Sequence, residues 1–123
     1  MITGKVSTNL QAMISVAVLG PRGARRIVRT TVDTGFSEFL SLRPQTIKSL
    51  RLPYFDDFPA ELADGSLKWF KRYEATVIWD KKPLAIQVHE ADGEPLAGMS
   101  LLEHFRLTAE VRSGGKLTIV RLR

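Results

Sequence analysis

Between Leu67 and Trp79 the side chains alternate, with Tyr73, Ala75, Val77 and Trp79 on one side and Arg72, Glu74 and Thr76 on the other. A period of two belongs to a strand with one covered face and does not fit the 3.6-residue repeat of a helix. This segment commits the chain to a sheet, and the punctuation around it predicts many more strands. Met13 to Leu19 is an apolar run ending at Gly20-Pro-Arg-Gly23, a turn signal, and Ile27 to Val32 after it is rich in β-branched residues, so the two read as an opening hairpin. Glu38 to Leu42 is a short apolar strand. Pro44, with Ile47 and Leu50 on one face, predicts a brief helix started by proline. Leu52 to Pro59 reads as loop. Ala63-Asp-Gly-Ser66, set between Ala60-Glu-Leu62 and the alternating segment, carries the Asp-Gly signal of a hairpin.

Beyond Trp79, Asp80 to Pro83 turns the chain into a strand from Leu84 to His89, and Ala91 to Pro95 turns it again. Leu96-Ala-Gly98 leads into Met99 to His104, where Ser100 and Glu103 have the spacing of a capping box and predict a helix of one or two turns. Phe105 to Val111, the Ser113-Gly-Gly115 turn and Lys116 to Leu122 form a closing hairpin. So many short strands with one or two short helices predict a mainly β, compact barrel or sandwich-like body. The 123 residues suit a single domain spanning 1–123.

Composition removes several classes of function. The chain has no cysteine, which excludes disulfides, thiolate zinc sites and a cysteine nucleophile. Its two histidines, His89 and His104, fall on a predicted strand and a predicted helix and form no ligand set by themselves, so no metal and no cofactor is expected. The net charge of +5 arises from scattered residues such as Arg22, Lys68 and Arg121, without a basic helix or an RNA-binding aromatic signature, and nucleic acid is not an expected partner. No apolar run approaches the ~20 residues of a membrane span and no signal-peptide core follows Met1, so the expected location is cytoplasmic, with no membrane partner.

The compact chemical signature is Val32-Asp-Thr-Gly35, at the end of an apolar strand where the chain must turn. A carboxylate there is presented at a rigid tip, although aspartate before such a turn is common for structural reasons alone. Context adds to the tripeptide. Val32-Asp-Thr-Gly-Phe-Ser-Glu-Phe-Leu-Ser-Leu42, the hairpin Leu62-Ala-Asp-Gly-Ser66, and Leu96-Ala-Gly-Met-Ser-Leu-Leu102 followed by Phe105-Arg-Leu107 and Gly114-Gly115 come in an order and spacing that resemble the retropepsin-like aspartic proteases, in particular their small bacterial and archaeal group.

The resemblance implies a closed β-barrel in which Asp33 is the catalytic carboxylate near a molecular two-fold axis. Thr34 would bond across that axis, and Gly35 would offer its amide to the carboxylate. Leu62, Ala63, Asp64, Gly65, Ser66 and Leu67 would form a substrate-binding flap, and Leu96, Ala97 and Gly98 would brace the active-site loop. Phe36, in place of a hydroxyl-bearing or small residue, leaves the outer oxygen of Asp33 without a side-chain donor, and the small Ala97 loosens the bracing element. The chemistry so implied needs two carboxylates sharing one proton, and only one Asp-Thr-Gly is present. Hence the expected enzyme is a homodimer with an Asp33/Asp33′ dyad that hydrolyses peptide or protein substrates. The competing expectation is a non-catalytic module that uses the same fold for dimerisation or peptide binding.

Overall fold

The computed structural model describes residues 1–123, in ten strands, two short α-helices and a 3-10 turn at Pro21–Gly23, and the chain is mainly β. Alternation builds the strands. In β1 (Ile2–Val6) and β2 (Ala12–Leu19) the inward set includes Val6, Ile14, Val16 and Val18, and Ser15 faces solvent. In β3 (Arg25–Val32) Val28, Thr30 and Val32 face inward, and the buried Thr30 hydroxyl donates to the Val28 carbonyl at 3.0 Å, so no polar atom is stranded there. β4 (Leu40–Leu42) is buried throughout and runs into α1 (Pro44–Leu50), which turns Ile47 and Leu50 to the core and stops at Arg51 in the left-handed region.

β5 (Tyr54–Glu61) pairs along its length with β6 (Leu67–Trp79), and β6 with β7 (Lys82–Glu90). The predicted loop from Leu52 to Pro59 is thus mostly strand. Proline removes a ladder donor, and Pro59 is tolerated because β5 is paired only on its β6 side. The turn from β6 to β7 is shorter than expected, since Asp80 and Lys81 both take positive φ, as a two-residue hairpin turn requires.

β8 (Leu96–Ala97) leads into α2 (Met99–Leu102), and the chain closes with β9 (Phe105–Ala109) and β10 (Lys116–Arg121). The capping box is absent. The N-cap of α2 is Gly98, and the Ser100 hydroxyl donates instead to the Ser37 carbonyl at 2.6 Å. His104 lies beyond the helix, in the left-handed region.

All ten strands join one sheet in the order β5-β6-β7-β4-β8-β3-β2-β1-β10-β9, and β6 pairs a second time, with β2 through Ala17–Leu19 and Thr76–Ile78. Most neighbours are antiparallel, but β3 with β8 and β4 with β7 are parallel, so β4 and β8 are threaded between strands distant in sequence. The sheet encloses one core built on residues such as Val16, Val18, Leu40, Leu42, Val77, Ile86 and Val88. No helix is long and apolar enough to cross a membrane.

Candidate active site

Asp33 follows the last residue of β3, and its position is fixed from the backbone outward. Thr31 and Val32 lie in parallel register with Leu96 and Ala97, and the Asp33 amide donates to the Ala97 carbonyl at 2.9 Å. The chain then turns back, with the Phe36 amide donating to the Asp33 carbonyl at 3.1 Å and the Gly35 amide to Asp33 Oδ1 at 2.9 Å. The second carboxylate oxygen has no partner within the chain. Asp33 is half-buried, while Thr34 and Gly35 are exposed.

The segment after β8 holds this loop from behind. The Gly98 amide donates to the Phe39 carbonyl at 2.9 Å, Met99 to Phe36 at 2.7 Å and Ser100 to Glu38 at 3.3 Å. A Cβ at Gly98 would stand 2.1 Å from the Glu38 carbonyl oxygen and 2.6 Å from that of Phe36, a distance no side chain can occupy, so glycine permits the loop and the bracing strand to touch. Ala97 is fully enclosed in the core.

Across from the loop stands the β5–β6 hairpin. Its turn is held by the Gly65 amide donating to the Leu62 carbonyl at 2.9 Å and the Leu62 amide to Ser66 at 2.8 Å, with Gly65 at φ 83°. Asp64 Oδ1 accepts from both the hydroxyl and the amide of Ser66, and those bonds hold its carboxyl below the ordinary carboxylate range.

A cleft of about 500 Å³ opens between hairpin and loop. It brings together Gly35, Leu62 and Leu96 from the sequence-predicted set; Asp33, Thr34, Ala97 and Gly98 do not line it, Asp33 standing two residues before Gly35 at its edge, and Ala63, Asp64, Gly65, Ser66 and Leu67 lie beyond it at the exposed tip. A larger depression of about 630 Å³ around Thr3, Lys5, Ser15 and Arg29 contains no carboxylate, and chemistry rather than size favours the smaller one.

The walls of this cleft were not foreseen. Phe36, Phe58 and Phe70 surround the imidazole of His89, with ring centroids 5.7, 5.5 and 5.9 Å from it. His89 is only 3% exposed, and neither ring nitrogen has a hydrogen-bond partner. Burial, reinforced by the nearby Arg72 guanidinium, lowers its pKa from 6.5 to about 4. Arg72 is committed elsewhere: Nε and Nη2 donate to the two oxygens of Asp56 at 2.7 and 2.6 Å, and the guanidinium lies 4.2 Å from the centre of the Phe58 ring. The only available hint in the sequence is the alternation of β7, in which core-facing Ile86 and Val88 put His89 on the opposite face. No group of three or more histidine, aspartate or glutamate side chains is arranged to hold a metal ion.

No family model matches the chain, and no curated protein sequence matches it. Among solved structures, the fold is similar to that of a retropepsin-like aspartic protease from Rickettsia conorii, at a TM-score of 0.57 and 20% identity over 98% of this chain and 89% of that one.

Proposed function

We propose that the protein is an aspartic endopeptidase, active as a homodimer in which Asp33 and its symmetry mate share one proton. The observation that carries this reading is the setting of Asp33: a carboxylate on a doubly anchored turn, one oxygen bonded to the Gly35 amide and the other free, beside a cleft under a hairpin. The shared fold with a retropepsin-like aspartic protease supports it. So does the second pairing of β6, because β2, β3, β8, β4, β7 and β6 then pair in succession and return to β2, as a closed barrel would.

One carboxylate of the pair takes a proton from a water molecule as that water attacks the scissile carbonyl, and the other donates its proton to the carbonyl oxygen. A single chain supplies one such group, so a two-fold axis near Thr34 must supply the second. Thr34, exposed at the tip of the loop, would bond across the axis, and the hairpin from Leu62 to Leu67 would close over an extended peptide bound as an added strand. Leu96, Ala97 and Gly98 hold the loop still while the proton moves.

The test is Asp33→Asn, assayed on a peptide library alongside sedimentation. Loss of all cleavage with the dimer intact is the expected result. Cleavage that survives the substitution refutes the assignment, and a wild-type protein that binds peptides without cutting them would make the fold a binding module.

A further inference from the structure

Four strands contribute to one transverse row of polar residues beneath the cleft. Asp56 on β5 is in register with Arg72 on β6, Arg72 with His89 on β7, and His89 with Ser41 on β4. Three of the four have their polar groups engaged. Asp56 and Arg72 satisfy each other through two hydrogen bonds, and the buried Ser41 hydroxyl accepts the Leu96 amide at 3.0 Å. His89 alone has both nitrogens idle, although it is almost wholly enclosed and lines the cleft. A buried polar side chain without partners lowers stability; Trp79 Nε1 is likewise unpartnered but lies against Phe105 away from this cleft, whereas His89 lines the cleft, where a ligand could complete it.

We propose that His89 is a specificity-determining residue of this cleft, and that the pocket walled by Phe36, Phe58 and Phe70 takes a substrate side chain with an aromatic body and an uncharged hydrogen-bonding tip, tyrosine above all. The inference rests on the peptidase reading and adds the class of side chain that the cleft selects. Three rings approaching the imidazole, two of them edge-on, make a wall suited to another ring. A neutral imidazole offers one N–H and one lone pair, which a phenolic hydroxyl can meet as acceptor or donor. An anionic tip is disfavoured, because Asp56 already neutralises Arg72 beside this floor and the charged residues that line the cleft, Glu38 and Glu61, are themselves carboxylates. The rings cover both nitrogens, so a substrate tip reaches them only if one ring gives way; Phe58, half-buried on a strand paired along one side only, is the least constrained by the sheet, although the Arg72 guanidinium packs on it.

Two measurements on the full-length protein test this. In the first, peptides differing only in Tyr or Phe at each position flanking the scissile bond are compared for wild type, His89→Leu and His89→Gln. At one position wild type should prefer Tyr by about ten-fold or more in kcat/KM. His89→Leu should abolish or reverse that ratio, and His89→Gln, which keeps a hydrogen-bonding group, should restore part of it. An unchanged ratio in His89→Leu overturns the proposal.

The second needs no catalysis: p-cresol and toluene are titrated into Asp33→Asn protein labelled with 15N in its histidine rings. p-Cresol should shift the His89 nitrogens at lower concentration than toluene does. If it does so while the wild-type protein cuts no peptide, the pocket assignment stands and the peptidase reading fails. If peptides are cut without a Tyr preference and the two probes act alike, the peptidase stands and the pocket assignment fails.

Discussion

Enclosing His89 as a neutral ring has a thermodynamic consequence that can be measured whatever the protein cleaves. In the unfolded chain the imidazole takes up a proton near its ordinary pKa of 6.5, but in the folded protein it does so only near 4. Between those values unfolding binds a proton, so acid favours the unfolded state. The stabilisation is complete above pH 6.5, declines as the pH falls, and is lost by about pH 4. The interval of about 2.5 pKa units corresponds to a loss of about 3 kcal/mol, a large part of the 5–15 kcal/mol that holds a typical domain together. The perturbation is His89→Leu, and the assay is urea unfolding of both proteins from pH 7.5 to 4. Packing differences between imidazole and leucine do not depend on pH, and the acidic groups common to both proteins cancel. The gap between the two stabilities should therefore move by about 2.5 kcal/mol in favour of the variant between pH 7.5 and 4.5. Parallel curves would show that His89 titrates normally and is not enclosed as described.

Other consequences follow from named contacts. Gly98→Ala should destabilise the fold by roughly 2–4 kcal/mol in urea unfolding and remove peptidase activity, because its methyl group overlaps the Glu38 and Phe36 carbonyls and pushes the Asp33 loop away. Arg72→Met should raise the pKa of His89 in an NMR titration, since the guanidinium is one of the two influences that lower it, yet burial should keep the value below 6.5. Specific activity should fall on dilution of the wild-type protein with the concentration dependence of dimer dissociation seen in sedimentation, and activity independent of concentration in a strict monomer would exclude a shared dyad.

What could be read in the sequence was whatever depends on near neighbours. The alternation of β6, the Asp64-Gly65 hairpin and the proline start of α1 appear where expected because each is decided within a few residues. β5 escaped because Tyr54-Phe-Asp-Asp-Phe-Pro59 breaks its aromatic residues with an Asp-Asp pair and ends in proline, and its strand conformation comes from the partner β6. Ser100 has the spacing of a cap, but the active-site loop offers the Ser37 carbonyl and takes its hydroxyl. The site divides in the same way. Asp33, Thr34 and Gly35 stand out as a motif, whereas the cleft floor is assembled from β4, β5, β6 and β7, and nothing local to Val88-His89-Glu90 distinguishes an exposed histidine from one enclosed by three rings.

The position of β1 between β2 and β10 affects how two copies could separate. Its backbone pairs within one chain from Ile2 to Lys5 with Lys116 through Ile119 on one flank, and at Lys5 and Val6 with Met13 and Ala12 on the other. The pairs that β1 makes within the chain need no strand from a second copy, so parting two copies would leave these hydrogen bonds intact. Folding and association become separable events, and mixed populations of wild-type and Asp33→Asn chains should reshuffle into hybrid pairs without passing through the unfolded state.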